Sequence, residues 1–184
     1  KERYARAAAQ STDYCFPSRH EEYAVLKRAA ALRPDLANTW YYLGNLEWNN
    51  DQKDAARASW QKALALKSDH ALALRNMGFA LAHPGTYFTN TGVPSGVPSE
   101  EAYGYYVKAL AADPTNFRAL EEMDKLAEKL GKGTAERLAT MKTYRATAEK
   151  YDACILRMAY LFNEAGDYDA ALAILTGRRF HVWE

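Results

Sequence analysis

The sequence has little that would name a chemistry. Only two cysteines occur, Cys15 and Cys154, far apart and without a CxxC pair. That excludes a metal knuckle and a disulfide scaffold, predicts buried thiols, and fits a reducing compartment. Charge of either sign is not in excess: 24 Lys and Arg stand against 23 Asp and Glu, a net charge of +1. Duplex nucleic acid and anionic membranes are therefore excluded as main partners. No apolar run approaches the ~20 residues that cross a bilayer, and the opening residue is Lys1, with no signal-peptide pattern after it. The expectation is a soluble, cytoplasmic chain, excised from something larger. No alternating strand pattern is present. With 48% hydrophobic and 26% charged residues over 184 positions, the composition is that of a globular chain able to bury a core.

What is present is a repeat. From Ala37 the chain carries Trp40, Leu43 and Gly44, then Ala56, Trp60, Ala63 and Leu66, closing at His70. From Ala71 the pattern returns as Leu74, Met77 and Gly78 and, after an interruption, Ala102, Tyr106, Ala109 and Pro114. The interruption, HPGTYFTNTGVPSGVPS, lengthens a period of ~34 residues by about 12. Small residues at Gly44 and Ala56 suit the close approach of two antiparallel helices, and bulky ones at Trp40, Leu43 and Trp60 fill the space beside it. This spacing resembles the tetratricopeptide repeat. Upstream, Leu26, Ala29, Leu32 and Pro34 read as the second helix of an earlier unit, with Glu22 where a small residue is usual. Near the end, Gly166, Asp167, Tyr168 and Ala171 read as a turn and second helix, whereas 115–150 keeps a two-helix rhythm without the small residues.

Apolar residues at three- and four-residue steps predict helices over 2–14, 19–32, 37–49, 53–67, 71–82, 100–112, 116–130, 134–150, 152–165 and 168–176. Asp35, Asp51, Thr115 and Thr134 are available as caps. The fold class that follows is all-α: one right-handed α-solenoid of about five antiparallel helix pairs spanning 1–184, each pair burying its apolar face by stacking on its neighbours. The stretch 84–98, with Pro84, Pro94 and Pro98, is expected to be an irregular exposed loop.

Several phrases are more particular. DYCFPSRHEEYAVLKRA (13–29), WYYLGNLEW (40–48), RALEEMDKLAEKLG (118–131) and LTGRRFHVWE (175–184) resemble the helical part of large bacterial proteins that carry mutarotase-like β-domains. That resemblance implies a truncated parent, with any carbohydrate chemistry lying in a β-domain outside this chain. The long 84–98 loop departs from it, since a short turn is usual there.

Catalytic signatures are missing. No phosphate loop follows a strand, and Gly131-Lys132-Gly133 reads as a helix-to-helix turn. His20, His70, His83 and His181 are dispersed and no HExxH occurs, so no metal, cofactor or catalytic residue is assigned. In the resembling repeat the first helix of each pair lines a concave surface. There it would present Asn38, Tyr41, Asn45, Trp48 and Asn49, joined by Arg75, Phe79 and His83 from the next unit, while Trp40, Leu43 and Met77 point between helices. Asparagines can pair with a peptide backbone, and aromatic faces offer contact area at small entropic cost. Asn45 and Asn76 match the asparagines of the carboxylate-clamping version of the repeat, with Arg118 standing in for its third-repeat lysine, but Tyr41 and Glu122 depart from it, and Glu122 would repel a carboxylate. The reading is a non-enzymatic interaction module that binds a protein segment, or a domain of its own parent. The alternatives are a support region for a carbohydrate-active enzyme and a homo-oligomerisation module, with Phe180 to Trp183 as contact.

Overall fold

The computed structural model describes residues 2–8, 10, 17–83, 99–176 and 178–181. The 84–98 stretch, Cys15 and Val182 to Glu184 lie outside the described residues. Every regular element among those described is an α-helix: α1 (Glu2–Ala8), α2 (His20–Leu32), α3 (Ala37–Asn49), α4 (Lys53–Leu66), α5 (Ala71–Ala82), α6 (Glu100–Ala112), α7 (Phe117–Lys129), α8 (Thr134–Thr143), α9 (Arg145–Ala148), α10 (Asp152–Glu164) and α11 (Tyr168–Leu175). Helices α3 and α4, α5 and α6, and α10 and α11 form antiparallel pairs, and each pair stacks on the next through α4 with α5 and α6 with α7. This is an all-α solenoid.

The helix ends have local causes, not all of them those the sequence suggests. Glu22 closes the start of α2 by accepting from the Ser18 and Arg19 amides at 2.7 and 2.9 Å. Asp51 is no cap: it adopts φ 61°, the left-handed conformation that ends α3, and Gln52 flanks α4 instead. Asp35 is held by Arg33 and Thr115 by Asp113, while Asn116 caps α7 through the Ala119 amide at 3.1 Å. Thr134 lies inside α8, whose flanking residue is Gly133. Gly131 and Gly166, at φ 75° and 77°, end α7 and α10 where a side chain would be strained.

The single helix expected over 134–150 breaks at Tyr144. Thr140 and Thr143 donate their hydroxyls to the Glu136 and Ala139 carbonyls one turn back, at 3.1 and 3.0 Å, an arrangement that bends helices. Thr147 then donates to the Pro114 carbonyl at 2.7 Å and pins α9 against the turn before α7.

Four helix pairs repeat one register, and in two of them it is a close approach at glycine. A Cβ on Gly44 would lie 2.5 Å from Trp60 Nε1 and 3.0 Å from the Ala56 carbonyl oxygen. A Cβ on Gly78 would lie 3.1 Å from the Ala102 carbonyl oxygen and 3.2 Å from Tyr106. The repeat therefore resumes in phase after the 84–98 interruption. Ala159 and Ala171 hold the matching positions in α10 and α11. In the third pair those positions are Asp124 and Arg137, both buried, in a two-pronged ion pair at 2.9 and 3.0 Å. Arg157 joins Asp124 from α10 at 2.6 Å, and Glu128 accepts from both arginines at 3.2 and 3.1 Å. Burial pushes the Glu128 carboxyl up, but Arg157 and then Arg137 hold it below the usual range. Two carboxylates thus balance two guanidinium groups where other pairs rely on small residues.

The core runs the length of the stack. Tyr41, Ala56, Trp60, Ala63, Ala73 and Met77 form its first part, and Tyr106, Leu120, Met123, Met141, Met158 and Leu161 belong to the larger second part. Leu64 and Tyr105 pack against both. Cys154 is buried, as expected of it.

Candidate functional site

The candidate surface is the face carried by α3, α5 and α7, the first helices of their pairs. Its floor is one chain of hydrogen bonds whose polarity is set from both ends. The Trp60 indole can only donate, and it donates to Asn45 Oδ1 at 3.0 Å. Arg75 can only donate, and it donates to Asn76 Oδ1 at 3.1 Å. Asn76 must then turn its amide nitrogen to Asn45 Oδ1, where it lies at 2.8 Å. Arg75 continues to Glu122 through a two-pronged pair, with Nε at 2.8 Å. Burial alone would lower the Arg75 pKa; the Glu122 charge beside it raises it above its usual value. The four links tie α4, α3, α5 and α7 together, and Asn45 is left with its amide nitrogen as the donor available to a ligand.

Above this floor lies an aromatic strip. The Trp48 ring sits 5.5 Å from Trp60 and edge-on to Phe79 at 6.1 Å, and Phe79 stacks on His83 at 4.4 Å. Cations border it: Lys53 Nζ lies 4.0 Å from the Trp48 ring centre and Arg75 5.1 Å from that of Phe79. Lys53 is held over the ring by the Trp48 carbonyl at 3.0 Å and by Asp51. Trp48 and Phe79 are half-buried and Asn49 is exposed, so the strip offers flat apolar area beside polar groups.

Two residues exchange the places expected for them. Tyr41 is not on the open face: it is only 4% exposed, and its ring lies 4.8 Å from that of His70 at the start of α5. Trp40 is instead half-exposed, its indole donating to the Pro34 carbonyl at 2.9 Å with Lys62 over its ring. The reason is that α3 packs on α4 and also meets the following pair, and residue 41 points along that second contact. Tyr41→Ala should therefore cost about 2 kcal/mol or more of folding stability, and Trp40→Ala clearly less, by denaturant unfolding.

Asn38 and His70 form a further link between α3 and α5. His70 Nδ1 accepts from the Ala73 amide at 3.3 Å, so this nitrogen carries no proton, and Nε2 donates to Asn38 Oδ1 at 3.1 Å. Burial, and then the nearby Lys67 charge, push the His70 pKa down to about 4 from its ordinary 6.5. The unfolded chain binds the proton more readily than the folded one between these values. Stability is thus complete above about pH 6.5 and falls as the pH drops towards 4. Between pH 7 and 5 the loss from this group should be about 2 kcal/mol. His70→Asn, which can cap α5 as Asn116 caps α7, should show a smaller fall in urea denaturation over the same interval.

Of the expected site residues, Asn38, Asn45, Trp48, Asn49, Arg75 and Phe79 are brought onto or beside this face. Trp60 is a part of it that sequence reasoning did not place there, and Glu122, expected there as a repulsive charge, is instead paired with Arg75. Glu122 read as a repulsive charge because its distance to Arg75 along the chain hides their pairing. Among the described residues no group of three or more His, Cys, Asp or Glu could hold a metal ion, and no helix is long and apolar enough to cross a membrane.

The stacked pairs and their small-residue contacts define a tetratricopeptide-like α-solenoid. Solved structures with this fold include the MamA RS-1 ArsTM double mutant, at 17% identity over 85% of this chain and 80% of that chain, with a TM-score of 0.62. MamA from residue 41 to the end, from Desulfovibrio magneticus RS-1, is similar over 95% of this chain and 90% of that one, at 16% identity and a TM-score of 0.61. A thermophilic TPR protein of Thermus thermophilus aligns over 83% of this chain and 77% of its own, at 17% identity and a TM-score of 0.55. At such identities the likeness is one of fold. No protein-family profile matches the chain, and no curated protein matches it.

Proposed function

We propose that this chain is a non-enzymatic interaction module that holds an extended protein segment along the face of α3, α5 and α7. The observation that supports this reading is the half-exposed Trp48–Phe79–His83 strip lying over a floor that is already satisfied and braced across three pairs. A braced floor loses little freedom on binding, and aromatic faces contribute contact area with few torsions to freeze. Asn45 supplies a donor for a peptide carbonyl, and Asn49 a further polar contact at the rim. Tyr41 acts beneath the face, and Arg75 acts through Glu122, so neither is a free contact. The solenoid fold shared with a TPR protein is consistent with this role.

The resemblance to proteins with mutarotase-like domains supplies another occupant of the same face, a β-domain of a longer parent chain. A photo-crosslinking side chain at Asn49 separates the occupants. In cell extract it should yield an adduct that is lost in Trp48→Ala and Phe79→Ala backgrounds, with none from the same probe at the second-helix position Lys108. Equal labelling from 49 and 108 would sink the groove reading; an adduct within a longer form of the same chain would identify the parent's own domain.

A further inference from the structure

His83 ends the aromatic strip, and its two ring nitrogens are not equivalent. Nδ1 lies 3.0 Å from the Phe79 carbonyl oxygen one turn back. A carbonyl oxygen only accepts, so Nδ1 carries a proton, and in the neutral ring Nε2 is a bare acceptor. That bond and stacking on Phe79, at 4.4 Å and 26°, fix the orientation of the ring. His83 is half-buried, and its Nε2 bonds to nothing among the described residues.

Register places this nitrogen on the rim of the same face. Asn49, His83, Lys129 and Glu164 each stand 12 residues after the first residue of α3, α5, α7 and α10, and so form one row. The charges around His83 are mostly spent on one another. Lys53 is paired with Asp51, Arg75 with Glu122, Lys125 with Glu121, and Glu128 with Arg137 and Arg157. Lys129 is exposed and outside these pairs, and no carboxylate among the described residues bonds to His83. Asn45 offers an amide donor and His83 an acceptor, the two complements of a peptide unit, whose carbonyl accepts and whose N–H donates.

We infer that His83 is the acceptor of the groove: Nε2 takes a main-chain N–H of the bound segment while Asn45 gives its amide to a carbonyl, so the face holds its partner only with His83 unprotonated. Protonation turns Nε2 into a donor. It also adds a cation to the Phe79 ring, which the Arg75 guanidinium already borders at 5.1 Å. The inference rests on the groove reading and adds to it the regulation of that site by acid.

A random display library of linear peptides, selected on the chain at about pH 8, supplies the probe. About 8 residues at ~3.3 Å each are long enough to cross three helices ~9 Å apart. The selected peptide, followed by fluorescence anisotropy, should lose affinity by about tenfold or more on passing to about pH 5, the interval over which a histidine changes charge. The measurement is made in the His70→Asn background, where acid costs less folding stability, with circular dichroism recorded at both pH values. His83→Gln keeps an acceptor that does not titrate and should bind about equally at the two. His83→Phe keeps the stack on Phe79 without an acceptor and should bind about tenfold more weakly at pH 8. With binding lost in Trp48→Ala, three results would each overturn the role of His83 and leave the groove standing: equal affinity at both pH values, a fall that persists in His83→Gln, or full affinity of His83→Phe. A selected peptide indifferent to Trp48→Ala, or a library without a binder, would overturn the groove reading and this inference with it.

Discussion

Gly44→Leu should lower folding stability by about 2–4 kcal/mol, the sum of roughly 1–3 for overpacking and about 1 for a lost hydrogen bond. Even the first added carbon meets Trp60 at 2.5 and 2.6 Å, and the ring cannot retreat without leaving Asn45. The disturbance therefore reaches the binding face as well as the core. Gly104 in α6 is the control, since a Cβ there meets nothing within 4 Å. Gly104→Ala should be neutral or stabilise by up to about 1 kcal/mol, because alanine costs less backbone entropy in a helix. Equal effects of Gly44→Leu and Gly104→Ala on urea denaturation would refute the close-approach assignment.

Asp124→Ala should cost about 3 kcal/mol, since it takes the two-pronged partner from the buried Arg137 guanidinium and leaves Arg137 and Arg157 to share Glu128. Asp124→Gly combined with Arg137→Ala removes both members of the buried pair together, so that no guanidinium is left without its partner, and keeps Arg157 with Glu128. The double variant should be more stable than Asp124→Ala by about 1 kcal/mol or more. Additive losses in the corresponding double-mutant cycle would show that the ion pair does not act as one unit. The cluster joins α7, α8 and α10, so its loss should loosen the C-terminal pairs first, visible as faster amide exchange there than in α3 to α5.

Much of this architecture was legible in residue spacing. The recurrence of Leu43-Gly44 as Met77-Gly78, with Ala56 and Ala102 following, marks helix pairs because only small residues permit that approach, whatever the intervening loop length. Helix limits were also local matters, except where Thr140 and Thr143 bond back to their own helix and Thr147 reaches to Pro114. Those contacts broke a helix that periodicity alone would continue.

The third pair shows where spacing runs out. Asp124 and Arg137 read as the loss of the repeat's small residues, because a sequence pattern records residue size and not the charge balance that two burials can achieve together. The same limit applies to the site. An exposed first-helix face with Asn45, Trp48 and Phe79 follows from register alone. Whether residue 40 or 41 lies beneath it depends on the angle at which α5 meets α3. Whether Glu122 repels a ligand or braces Arg75 depends on the distance between α5 and α7. Angle and distance are set by how pairs stack, through contacts between residues far apart in the chain. The sequence by itself therefore determined the repeat and the helices; the tertiary packing decided which side chains are floor, which are surface, and which charges cancel.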